Sequence, residues 1–135
     1  MYKKILVPIS FDNDRDSAGA LEVAARLAGD EAEIVLIHVM EQIPGYAISY
    51  VPQDYLTESR AAIETELREM AGSVPKGRSE VVDGHSGRTI LDYAEANGVD
   101  CIVMASHRPG MADLLLGSTA AQVVRHANCA VHVIR

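Results

Sequence analysis

Residues 104–129 read MASHRPGMADLLLGSTAAQVVRHANC, and they hold the side chains best suited to chemistry in this chain. A Ser-His-Arg-Pro-Gly cluster follows an apolar run, and Gly117-Ser118-Thr119 opens a segment with helical patterning. The first N–H groups of a helix have no intrahelical partner, and the helix dipole adds positive potential there. Ser118 and Thr119 bring hydroxyl donors, Gly110 and Gly117 admit close backbone approach, and Arg108 brings charge. Such a set suits an anion, phosphate above all. An ordinary helix start with a capping serine has the same spelling.

Other chemistries find less support. The chain has five histidines, but His38 and His132 lie inside apolar runs and His126 on a helical segment, with no short-spaced carboxylate or cysteine partner. No metal site is expected. Ser106 and His107 are sequence neighbours and point different ways, and no G-x-S-x-G elbow occurs, so no catalytic residue is assigned. A P-loop is excluded because no G-K-[ST] follows an apolar run.

The elements that position this cluster alternate. KKILVPIS reads as a strand, 16–28 as an amphipathic helix stopped by Gly29, and AEIVLIHVM (32–40) as a strand buried on both faces. Residues 41–56 read as irregular. A helix over 57–73 follows, capped by Thr57, with Ile63, Leu67 and Met70 on one face. RSEVVDG is a third strand, Ser86 caps a helix reaching Asn97 and Gly98, and DCIVMAS is a fourth strand. A helix over 118–127 with Val123, Val124 and Ala127 inward leads to the final strand CAVHVIR. Five strands and four helices in alternation make an α/β fold, a single doubly wound parallel sheet with helices on both faces. Ligands of such sheets sit beyond the carboxyl ends of the strands, here after residues 9, 40, 83 and 105.

Composition bounds the rest. At 135 residues the chain suits one domain, 1–135. A net charge of −7 argues against a nucleic-acid or anionic-membrane partner. The N-terminal apolar run is too short for a signal peptide and no stretch suits a membrane span, so a soluble intracellular protein is expected. Cys101 and Cys129 are expected to be buried, reduced thiols. Arg88 falls in the first turn of a helix, where the dipole disfavours a cation. It is explained either by a nearby anion or by an exposed carboxylate. Three of the five tyrosines (Tyr46, Tyr50, Tyr55) crowd into 41–56, a connection longer than usual, which suggests a flap over a ligand or a patch facing a partner subunit.

KKILVPIS, AEIVLIHVME, VVDGHSGRTILDYAEANGVDCIVMAS and LLLGSTAAQVVRHANCAVHVIR together carry a resemblance. Over nearly its whole length the sequence resembles the universal stress proteins of the bacterial cytoplasm. The resemblance implies a fold of the adenine nucleotide alpha hydrolase-like kind with strand order 3-2-1-4-5. The switch point would lie between the first and fourth strands, with Ser10 facing the 105–119 loop across one crevice. It also implies a homodimer paired through the last strand, Ala130 to Ile134, which agrees with that strand being an uncovered edge. Many members bind ATP through G-x2-G-x9-G-[ST]. Here Gly117-Ser118 matches its end, Ala105 stands at the first glycine, and Arg108 stands at the second with eight residues before Gly117. A branch of the family with the same ASHRP…LLGS…VVRHA wording is regarded as nucleotide-binding. Ser10 replaces the aspartate commonly found after Val-Pro, a neutral and weaker acceptor for the nucleoside.

The reading that follows is a cytoplasmic, ATP-binding stress-response module, with AMP or ADP as alternative ligands and Mg²⁺ carried on the phosphates. Adenine is expected beside Pro8, Ser10 and Val39, against Met104. Ribose and first phosphate are expected on Ala105, Ser106 and the 107–110 turn, which includes His107, Arg108 and Gly110. The outer phosphates are expected on Gly117, Ser118 and Thr119. No residue stands out as a base to activate water, so hydrolysis is expected to be slow or nil. Two alternatives stay open. One is a stress protein acting through dimer or partner surfaces without nucleotide. The other is a phosphoacceptor receiver domain, for which Asp12, Asp14 and Asp83 are suggestive but a lysine after the fifth strand is missing.

Overall fold

The computed structural model describes residues 1–11, 16–106 and 117–135. Its elements run β1 (Tyr2–Pro8), α1 (Ser17–Leu27), β2 (Ala28–Met40), α2 (Gly45–Ile48), α3 (Gln53–Ala71), β3 (Gly77–Asp83), α4 (Ser86–Ala96), β4 (Cys101–Ala105), α5 (Ser118–His126) and β5 (Ala130–Ile134). The five strands form one sheet in the order β3-β2-β1-β4-β5. Every pairing is parallel, as the doubly wound reading requires.

Alternation along the strands divides the core in two. Ile5, Val7, Ile34, Leu36, Cys101 and Val103 point to one face and meet Leu21 and Ala24 of α1 with Leu67 and Ala71 of α3. Leu6, Val35, Ile37, Ile102 and Met104 point to the other and meet Ile90 of α4 and Val123 of α5. Helices therefore cover both faces, and burying each of these large side chains contributes about 1.5–3 kcal/mol. The β1 and β4 starts are tied by Asp100, whose carboxylate accepts the N–H groups of Lys3 and Lys4 at 2.9 and 3.0 Å.

Several boundaries differ from the expectations. Strand β2 starts at Ala28, because Tyr2 pairs with Ala28 before the register shifts to Lys4 with Glu33. Gly29 therefore lies within the irregular start of a strand. Helix α3 starts at Gln53, capped by Pro52 with its extended ψ of 137°, and Thr57 is interior. Its hydroxyl donates back to the Gln53 carbonyl at 3.1 Å, a helix-compatible alternative to capping. The 41–56 segment is thus not irregular throughout: it holds α2 and the first turn of α3. Ser86 is the first residue of α4 rather than its cap, a position held by His85. Gly98 ends that helix's connection at φ 67°, in the left-handed region glycine favours. Val124 is exposed, so Ala120 and Val123 form the inward face of α5. Cys101 is buried, but Cys129 is only half-buried; both are free thiols.

Candidate functional site

Strands β1 and β4 are neighbours, yet the chain leaves β1 for α1 on one face and β4 for α5 on the other. Their carboxyl ends diverge, and a cleft opens between them, the topological switch point of an open α/β sheet. It has a volume of about 470 Å³. Of the residues expected to bind a ligand, Pro8, Ser10, Val39, Met104, Ala105, Ser118 and Thr119 line it together. Residues separated by up to 111 positions, Pro8 and Thr119, thus share one wall system because β1 and β4 are paired.

Ser106 and Gly117 take a different place. Ser106 is buried, and its hydroxyl accepts the N–H of Gly117 at 3.3 Å. Gly117 is the N-cap of α5, with an extended ψ of 157° and no side-chain capping bond. The pair forms a neck joining β4 to α5, so the α5 groups that face the cleft are Ser118 and Thr119. His107, Arg108 and Gly110, like Asp12 and Asp14, lie outside the described residues.

The walls also contain residues that sequence reasoning missed. Ile37, Ile63 and Ile90 make the cleft apolar at its floor. His38 and Phe11 stack at its side, ring centroids 5.0 Å apart and tilted by 55°. The His38 Nδ1 lies 2.8 Å from the Ile9 carbonyl, which only accepts, so Nδ1 carries the proton. Glu41 and Ser86 meet at the mouth, Ser86 Oγ donating to Glu41 Oε1 at 2.9 Å. Beside them Arg60 of α3 donates to both oxygens of Asp83 at 2.9 and 3.0 Å and to the Val81 carbonyl at 3.2 Å. That clamp holds α3, and with it Ile63, against the end of β3. Of these, Phe11 and Glu41 could have been flagged by their position just beyond strand ends, whereas Ile37, His38, Arg60, Ile63 and Ile90 lie inside strands or helices and gave no such signal.

Arg88 plays no part in the cleft. It is exposed and pairs with Asp92 one turn on at 3.8 Å, which accounts for a cation in the first turn of α4 without a bound anion. Tyr46, Tyr50 and Tyr55 are exposed at 83%, 85% and 63%. They do not line the cleft. Among the described residues, no three His, Cys, Asp or Glu side chains gather as a metal site.

The arrangement offers an apolar slot, a helix N-terminus with two hydroxyls, and a carboxylate at the mouth. The family model described as "Universal stress protein family" matches residues 1–135. The chain belongs to the universal stress protein family. Universal stress protein A homolog 2 of Coxiella burnetii is 30% identical over 140 residues, covering 99% of this chain and 95% of that one. Among solved structures, hypothetical protein MJ0577 superposes with a TM-score of 0.81 at 25% identity, covering 99% of this chain and 96% of its own. A universal stress protein in complex with cAMP has a TM-score of 0.71 at 19% identity over 99% and 97% of the two chains. The universal stress protein of Archaeoglobus fulgidus in complex with dAMP has a TM-score of 0.66 at 21% identity over 99% and 98%. These last two share the fold. Membership of this family leaves the receiver-domain alternative without support.

Proposed function

We propose that this universal stress protein is a cytoplasmic adenine-nucleotide-binding stress-response module, one domain over 1–135, with ATP as the ligand and AMP or ADP as alternatives. The observation that carries the reading is the convergence of Ser10, Val39, Met104 and Ala105 with Ser118 and Thr119 in one cleft at the switch point. Fold relatives solved with cAMP and dAMP support it. The chain's own residues fit such a ligand. Ile37, Val39, Ile90 and Met104 offer an apolar surface for a base, and the N-terminus of α5 offers donors for phosphate. Pro8 and Ser10, which line the cleft, would border the base and Ala105 the ribose, and Ser106 holds the N–H of Gly117 at the start of α5. His107, Arg108 and Gly110 would complete the phosphate side. Mg²⁺, where present, would ride on the phosphates and supply charge neutralisation, since magnesium rarely takes an all-protein cage.

No side chain of the cleft is assigned here as a base for water. The module therefore binds and signals, with slow hydrolysis or none. Homodimerisation would pair β5 (Ala130–Ile134), an edge of the sheet whose unpaired backbone groups suit a second copy. The exposed Tyr46, Tyr50 and Tyr55, in the stretch from α2 into the start of α3, would report occupancy to a partner.

Denaturing freshly purified protein and chromatographing the supernatant, with calorimetric titration by ATP, tests the reading. An adenine nucleotide released, or saturable ATP binding that Gly117→Val abolishes in a folded protein, is expected. Neither release nor binding would leave the nucleotide-independent reading, in which the protein acts through its surfaces.

A further inference from the structure

Two helices, α4 and α5, bring their N-termini to the same cleft, Ser86 from one and Ser118 and Thr119 from the other. They are close there: a Cβ on Gly87 would collide with the Gln122 side chain. Neither has an acidic residue in its first turn or a side-chain capping bond. Their electrostatic states nonetheless differ. Glu41, the first residue after β2, reaches across 45 positions of sequence to accept the Ser86 hydroxyl at 2.9 Å. A carboxylate therefore already sits at the positive end of α4, supplied from another element. Among the described residues, no carboxylate side chain caps the first turn of α5.

The geometry points to Glu41 as the residue that sets ligand orientation and nucleoside specificity in this cleft, resting on the nucleotide reading above. Its charge repels phosphate from the α4 pole and leaves α5 as the phosphate end. Glu41 is exposed, and its carboxylate acts here as a hydrogen-bond acceptor. One proton from Ser86 leaves most of its acceptor positions open, so the uncharged end of the ligand must present a donor there. In an adenine nucleoside that donor is the exocyclic amine or a ribose hydroxyl. Ser86 is a positioning residue, fixing the carboxylate rotamer from the first turn of α4.

Calorimetric titration of wild type, Glu41→Gln, Ser86→Ala and Ser86→Thr with adenosine and ATP tests this. Replacing a charged acceptor is expected to weaken adenosine and ATP alike by about tenfold in Glu41→Gln. Ser86→Ala is expected to weaken both less, and Ser86→Thr, which keeps the hydroxyl, to restore them. ITP, lacking the amine, and 2′-deoxy-ATP, lacking one hydroxyl, identify the donor: the Glu41→Gln effect disappears with whichever analogue lacks it. Unchanged adenosine affinity, or ATP affinity that rises in Glu41→Gln, would overturn the assignment while leaving the nucleotide site intact. Wild type that binds neither adenosine nor ATP would overturn the nucleotide reading and this assignment with it.

Discussion

The hydroxyl of Ser106 accepts the backbone N–H of Gly117 at 3.3 Å, joining the residue after β4 to the residue that opens α5. The contact spans 11 positions of sequence. It fixes where the N-terminus of α5 stands relative to Ala105, and so the spacing between the two sides of the cleft.

Ser106→Ala should therefore act twice. It leaves the Gly117 N–H without its partner, costing about 1 kcal/mol, or roughly 4 °C in thermal midpoint for a chain of this size. It also loosens the neck, so ATP affinity should fall, with Ser106→Thr recovering both. Thermal denaturation and calorimetry check the two effects separately.

Ser118→Asp should move stability and binding in opposite directions. An acidic residue in the first turn of α5 meets the helix dipole and should raise stability by about 0.5 kcal/mol. The same charge stands where phosphate is to bind, so ATP affinity should drop by about tenfold or more through like-charge repulsion, while adenosine affinity changes little. A parallel loss of stability and binding would point to simple damage.

Cys101 supplies a pH dependence. Burial beneath Ile5 and Val103, reinforced by the nearby Cys129 and Asp100, pushes its thiol up to about 11. Folding thus favours the protonated form, so its contribution is fully present below the ordinary thiol range and lost as pH rises through the folded value. Between about pH 9 and 11 the unfolded chain binds fewer protons and stability falls. The urea midpoint should decline over that interval, and less steeply in Cys101→Ala, the comparison that separates this thiol from the lysines and tyrosines titrating nearby.

How much of this was legible in the residues depends on range. Ile34 to Val39 announces a strand buried on both faces, and Gly117-Ser118-Thr119 announces a helix start, because each signal is local. The alternation of elements gave the doubly wound class, but the position of β1 between β2 and β4 followed only from family resemblance, since no local pattern names a strand's neighbour. Thr57 misled because a threonine hydroxyl serves a helix interior by bonding the preceding turn as readily as it caps one. The contacts His38 to Ile9, Glu41 to Ser86 and Arg60 to Asp83 span 29, 45 and 23 positions and follow no periodicity. They exist because parallel strands deliver their carboxyl ends to one edge, which is a property of the assembled sheet.

The most direct test of the central claim is a ¹⁵N–¹H NMR titration of the protein with ATP. The account expects saturable shifts at the amides of Ser10, Val39, Ala105, Ser118 and Thr119, with little change at Glu95, Gly98 and Asn128 around the smaller cavity at the other end of α4. Absence of shifts at millimolar ATP, or shifts confined to residues away from the β1–β4 switch point, would contradict it.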